Sequence, residues 1–303
     1  MHPAPSVIVF TVLSGLGYGF AFMLCLGVLD PTRGSTTFAW FLALAMISGG
    51  LVSSTFHLGN PQRAWRAFSQ WRSSWLGREG VMAVATFVPL VIAAAIVVFA
   101  DRNPGLIGLI GAIMCALTVS CTAMIYASLK TVQAWSTPLT PVCFGLFALA
   151  GGGLITTFFA AVGGGSVGFT ATLAAIGLIG GLIAKTAWTG NMLRPKPLST
   201  PETATGLGHI GKVRLLERPH AMSNYLTREM VFRVGRKHAD KLRLIALALA
   251  FAVPFICVVL MPLTGAWAAL AVLATGSHLV GMLAERWLFF AEARHAVANY
   301  YGA

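Results

Sequence analysis

The sequence predicts an all-α integral membrane protein, a bundle of eight transmembrane helices with both termini in the cytoplasm. Three observations carry that expectation. The chain is 57% hydrophobic and only 10% charged, with a mean hydropathy of +0.78, far from the balance of a soluble domain. Several apolar stretches reach about 20 residues, the length that crosses a hydrocarbon core of about 30 Å. The basic residues are distributed so that alternate connections collect nearly all of them, as the positive-inside rule requires.

In chain order the expected spans are 6–28, 36–56, 81–100, 106–128, 142–162, 169–189, 244–261 and 264–290. The first run lacks the basic start and cleavage site of a secretory signal peptide, so it is expected to remain as a helix. Turns at Asp30-Pro31, Asn103-Pro104, Gly163–Gly165 and Pro262 separate successive spans. Glycines inside the spans, such as Gly15, Gly17, Gly19 and Gly177, Gly180, Gly181, point to closely approaching helices. A phosphate-binding loop would need a strand–turn–helix context that is missing. The whole chain reads as one membrane domain, with residues 191–242 as its single large cytoplasmic loop. There Ser199 or Thr200 reads as a helix start with Pro201 at the first position. Further on, Leu226, Met230 and Val234 recur at helical spacing among basic residues. That pattern suits an amphipathic helix on anionic lipid, a platform for a cytoplasmic partner, or both.

With eight spans, both termini and the second, fourth and sixth connections share a face. That face collects 19 of the 21 Lys and Arg residues, and the other keeps only Arg33 and Arg102. The formal net charge of +12 therefore reads as topology and contact with anionic lipid, and nucleic acid is not an expected partner. Five cysteines (Cys25, Cys115, Cys121, Cys143, Cys257) fall in or beside apolar runs without CxxC spacing. They read as packing residues, and no disulfide, iron–sulfur or zinc site is expected.

The polar residues concentrate in Phe56–Gly80, FHLGNPQRAWRAFSQWRSSWLGREG. It begins with a histidine closing one span and ends with a glutamate opening the next. Scarce polar groups in a membrane protein mark places where something is held or moved. Reducing a quinone requires two electrons and two protons at a headgroup near the membrane surface. The His57 imidazole can hydrogen-bond a quinone carbonyl, and the Glu79 carboxylate can relay protons. Arg63 and Arg78 can polarise a second carbonyl, while Trp65, Trp71 and Trp75 can line a slot for a flat ring. An alternative is that His57 and Glu79 only cap helix ends and the arginines only set topology. Elsewhere, His278 falls near the middle of the last span, with Glu285 about two turns towards the cytoplasmic face. His278 and Glu285 are candidates for a proton path, and His278 alternatively for an interhelical hydrogen bond. A haem held by two histidines needs a partner for His278 at the same depth. The others (His2, His57, His209, His220, His238, His295) fall at the surface or in the loop, so haem is not favoured. Lys185 is expected to snorkel to the interface near Trp188. A transporter would need paired polar residues near the midplane, where this sequence has almost none.

At HLGNPQRAWRAF and SWLGREG, and again at ERWLFFAEARH near the C-terminus, the sequence resembles the membrane anchor subunits of the dimethyl sulfoxide reductase type. The length and span count extend that resemblance over essentially the whole chain. It implies an anchor with no active site for the sulfur substrate, partnered by an iron–sulfur subunit and a molybdopterin catalytic subunit that carry those cofactors. It also implies electron exchange with ubiquinone or menaquinone, without haem, and gives His57 and Glu79 the family's quinone-site roles, with Arg63 as the motif's arginine. Anchors of exported reductases should place the His-bearing connection outside the cell, whereas the charge map here places it inside. In that respect the chain resembles anchors of the cytoplasmic, membrane-bound sulfite dehydrogenases of sulfur-oxidising bacteria. The expected setting is then a bacterial inner membrane with catalytic partners on the cytoplasmic face. The alternative is an anchor of a dimethyl sulfoxide or other oxyanion reductase that oxidises quinol.

Overall fold

Apolar chain in a bilayer must satisfy its own backbone hydrogen bonds, which favours continuous helices. The computed structural model describes residues 4–56, 58–193, 200–214, 216–217 and 239–296, and in it α1 spans Pro5–Cys25 and α2 Gly34–Thr55. A 3-10 turn (Pro61–Arg63) and the short α3 (Arg66–Ser69) follow. Next come α4 (Trp75–Ala100), α5 (Gly105–Ala127), α6 (Leu139–Gly163) and α7 (Val167–Leu193), then a short α8 (Pro201–Thr205). The seventh apolar stretch is composite: α9 (Ala239–Leu247), a π-helical turn (Ala248–Ala252) and α10 (Val253–Thr264). The last helix is α11 (Trp267–Ala291). Eight of these stretches are long and apolar enough to cross a membrane, and the only β pairing among the described residues is an isolated bridge between Leu29 and Gly165. The protein is an all-α, multi-pass membrane protein.

The connections sort by end. Leu29 meets Gly165, Asp30 N donates to Gly164 O, and Gly27 faces Asn103, which gathers the first, third and fifth connections. At the other end Ser53 Oγ donates to Ser6 O, and Ala296 N donates to Thr131 O. The N-terminus and the second connection thus share a neighbourhood, as do the fourth connection and the C-terminal segment. Large side chains such as Phe41, Phe99 and Leu106 are exposed on the bundle's outside, as a lipid-facing surface allows.

The helices α1 and α6 are the central pair, each with 72% of its most apolar window buried. They cross at Gly19 and Gly152, where a Cβ added to Gly152 would collide with the Gly19 backbone. Only glycine permits that approach. Gly152→Val should therefore destabilise the protein by about 3 kcal/mol, read as a lowered melting temperature in detergent. Gly276→Ala, whose Cβ would meet nothing within 4 Å, should melt like the parent; equal melting of both variants would refute the crossing.

Three boundaries differ from the sequence expectation. The helix α4 starts at Trp75, not at residue 81, because Ser74 caps it with Oγ 3.5 Å from Gly77 N. Glu79 is thereby one turn inside the helix. Pro262 lies within α10, and Gly265, at φ +70°, makes the turn expected at the proline. The seventh stretch is helical from Ala239, five residues before its expected start. Thr200 does cap α8, exchanging hydrogen bonds with Thr203, whereas the amphipathic pattern through Leu226, Met230 and Val234 lies outside the described residues.

Candidate functional site

The 58–74 connection folds back over the start of α4. Gly77 accepts this contact, since a Cβ there would sit 2.6 Å from Ala67 O, and the Phe68 ring covers Gly80. Glu79 is thus turned into the bundle, only 6% exposed, where Thr122 Oγ1 of α5 donates to its Oε1 at 2.9 Å. The seam continues along α4 and α5 through Thr118 and Thr86, whose hydroxyl oxygens are 2.9 Å apart.

The other residues expected to work with Glu79 separate from it. Arg78 Nε donates to Trp71 O at 3.0 Å and its Nη2 to Arg72 O at 2.9 Å. Its guanidinium lies 4.3 Å from the centre of the Trp75 ring, with Arg66 over Trp65 and Arg72 over Trp71 in the same manner. Trp65 and Trp71 are exposed, and Arg63 ends the exposed 3-10 turn. The tryptophans serve here as platforms for arginine, and no ion pair joins Glu79 to an arginine among the described residues. His57 lies outside the described residues.

A second buried polar group departs from the sequence expectation. Lys185 does not snorkel: it is 5% exposed, and its Nζ lies 2.5 Å from Glu285 Oε1. On the other side Arg286 Nε donates to Glu285 Oε2 at 2.5 Å. Pairing with a carboxylate from α11 keeps the ammonium inside, because a buried charge needs a counter-charge more than it needs the distant headgroups. Aromatic rings close over the triad. Lys185 sits 3.7 Å from the Trp188 ring centre, and Arg286 lies 4.4 Å from Phe144 and 4.5 Å from Phe289. Trp135, from the fourth connection, stacks on Phe289 at 5.1 Å and donates its indole N–H to Phe289 O. Trp188 donates to Thr140 Oγ1.

Thr122, which holds Glu79, and Arg286 of the triad line a common interior space. A cavity of about 20 Å³ between α1, α5, α6 and α11 is lined by Thr11, Ser14, Tyr18, Thr122 and Arg286 among mostly apolar neighbours, large enough for a water molecule. Thr122 thus touches both Glu79 and the space that Arg286 lines. Tyr126 packs edge-on against Trp135 and Phe289.

His278, fully buried, lies in an interhelical contact. Pro254 has no N–H for the carbonyl four residues back, and the chain widens there into the π turn. His278 Nδ1 bonds that carbonyl, Ala250 O, at 2.6 Å, and Ser277 Oγ donates to Leu249 O at 2.8 Å. Gly281 lets α11 come this close, since a Cβ there would collide with the Ala250 backbone. One signal in the sequence points to the buried triad: Lys185 is the only charge within its span, and an intramembrane charge calls for a partner. Nothing comparable points to Tyr18 or Thr122.

Eight stretches long and apolar enough to cross a membrane, with buried charges gathered towards the end that holds the C-terminus, make this a multi-pass membrane protein with a charged interior. The chain belongs to the family of DMSO reductase anchor subunits (DmsC), which it matches over residues 1–291. It is 34% identical over 324 aligned positions to a sulfite dehydrogenase subunit of Allochromatium vinosum, with 99% of each chain covered. An anchor subunit implies other subunits, so this chain is one component of an oxidoreductase complex.

Proposed function

We propose that this subunit passes electrons from an iron–sulfur partner to membrane quinone while a molybdopterin subunit oxidises sulfite on the cytoplasmic face of a bacterial inner membrane. The observation that carries the reading is Glu79, a buried carboxylate at the base of the arginine-rich connection, held by the Thr122 hydroxyl. Its donor set suits a quinone: a carboxyl that can give or take a proton, a hydroxyl that orients it, and behind them a small, mainly apolar cavity that Thr122 and Arg286 line. Quinone supplies the two-electron, two-proton couple. Glu79 would exchange a proton at its carboxyl oxygen, Thr122 would fix that oxygen, and the cavity lined by Tyr18 and Arg286 would carry protons inward from Glu79. The same reading makes His57 a proton-exchanging neighbour, gives Arg63 and Arg78 the role of a positive rim, and leaves Glu285 and His278 as inner members of a proton path. Sulfite as the partner's substrate is supported by the similarity to the Allochromatium protein and by the one-sided charge map.

The match to DMSO reductase anchors favours a second reading, in which the complex oxidises quinol and reduces dimethyl sulfoxide or another oxyanion. The purified complex decides between them. With a ubiquinone analogue as acceptor, sulfite should drive its reduction, whereas the reduced analogue should be oxidised only slowly by dimethyl sulfoxide. The opposite outcome would establish the second reading.

A further inference from the structure

The polar groups around the cavity between α1, α5, α6 and α11 are not alike. Three hydroxyls reach it from one face of α1, since Ser14 and Tyr18 follow Thr11 at positions i+3 and i+7. Thr122 of α5 adds a fourth hydroxyl and Arg286 of α11 a guanidinium. Three of the hydroxyls already donate elsewhere. Thr11 Oγ1 donates to Val7 O at 2.9 Å and Ser14 Oγ to Phe10 O at 2.6 Å. Thr122 Oγ1 has a single proton and two acceptors in reach, Glu79 Oε1 at 2.9 Å and Thr118 O at 3.2 Å. These oxygens retain lone pairs, which can only accept. Tyr18 is the opposite case. It is 2% exposed, and its hydroxyl has no hydrogen-bond partner among the described residues. A buried donor left in this state is costly. Arg286 likewise has only donors to offer.

From this arrangement we infer that the cavity is the site of one resident water, which accepts from the Tyr18 hydroxyl and donates to Thr122 Oγ1. The volume of about 20 Å³ exceeds the roughly 10–15 Å³ that a water needs. The wall carries donors in Tyr18 and Arg286 and acceptors in Thr122 and Ser14, which suits a molecule that accepts two hydrogen bonds and gives two. An apolar occupant of the same size would leave the Tyr18 proton without a partner, and a cation would be repelled by Arg286. The water gives Tyr18 an influence on Glu79 that the tyrosine does not exert by contact. By occupying a lone pair of Thr122 Oγ1 it holds the threonine's own proton on the Glu79 side, so Tyr18 is a positioning residue for that carboxyl. The site stands on the cavity and its hydroxyls alone, whereas its effect on turnover rests on the quinone reading above.

Two measurements read the water directly. A cryo-electron-microscopy map of the assembled complex, at a resolution that shows waters elsewhere, should contain a peak about 2.7–3.2 Å from both Tyr18 Oη and Thr122 Oγ1. Tyr18→Phe keeps the ring and removes only the donor. It should lower the melting temperature in detergent by about 2 °C, because a satisfied hydrogen bond is lost. A hydroxyl without a partner predicts the opposite sign, since phenylalanine would then relieve it. Absence of the peak, or a Tyr18→Phe protein that melts at or above the parent, would overturn the site. In the complex, measured against dye-linked turnover, the same variant should lower the quinone-coupled kcat about fivefold, the rate equivalent of one hydrogen bond, and leave the quinone KM at its parental value. A parental kcat would overturn the positioning role, and a raised KM would mean that Tyr18 touches quinone itself and would overturn it too. If Glu79→Gln couples normally, the quinone reading fails, while the map and the melting shift still decide the water site.

Discussion

Glu285→Gln should destabilise the protein by about 3–5 kcal/mol, because it leaves two cations in the bundle with no anion between them. Lys185 and Arg286 are 5% and 2% exposed, and both reach the same carboxylate. Lys185→Met should be much milder. It leaves the Glu285–Arg286 pair balanced and loses mainly the contact of the ammonium with Trp188, worth about 2 kcal/mol when desolvated. This asymmetry separates an ion cluster with one shared anion from two independent pairs. Thermal melting of the detergent-solubilised complex measures it, and a Glu285→Gln protein that melts at or above Lys185→Met would refute the shared-anion arrangement.

The triad also shows where the sequence stops being legible. Span number follows from length and apolarity, since a stretch of about 20 apolar residues has few alternatives in a bilayer. The expected side of each connection rests on counting Lys and Arg. The fate of Lys185 is different, because one long side chain can either snorkel or pair, and the choice depends on which helix face meets α11. That is a tertiary fact, and the lysine's own neighbours in sequence do not contain it. The π turn is hidden for the same reason: Pro254 announces a freed carbonyl, but its bond to His278 spans 28 positions of chain. At Glu79 the residue is legible and its depth is not. Ser74 starts α4 within a run of charged and aromatic residues that reads as a surface loop, so the glutamate looks like the entrance to the helix when it lies one turn inside.

Thr122 and Arg286 bring these parts to one small cavity. Glu79 and the triad enter from opposite sides, α4 and α5 for the first, α7 and α11 for the second, and the cavity lined by Thr122, Tyr18 and Arg286 lies between them. The triad carries one surplus positive charge when Lys185, Glu285 and Arg286 are all ionised. An ionised Glu79 across the cavity would make the four groups neutral together, which lowers the cost of holding them away from water. A proton taken up by Glu79 would return the surplus.

Glu79→Gln is then expected to reduce quinone-coupled turnover at least a hundredfold, within the range of about 10²–10⁴ for removal of a general acid or base. Glutamine keeps the volume of the side chain and a carbonyl oxygen to accept from Thr122 Oγ1, so the helix contact survives and only the proton is withdrawn. Turnover with an artificial dye that takes electrons directly from the partner subunits should persist, and the subunits should purify together. Glu79→Asp retains an acid but shortens its reach to Thr122, and should recover part of the lost activity. Those four measurements separate proton exchange from packing. A packing role predicts that Gln is tolerated and Asp is not, because glutamine fills the site and aspartate leaves a gap. A proton-exchange role predicts the reverse order, and a Gln variant that couples quinone normally would remove Glu79 from the mechanism.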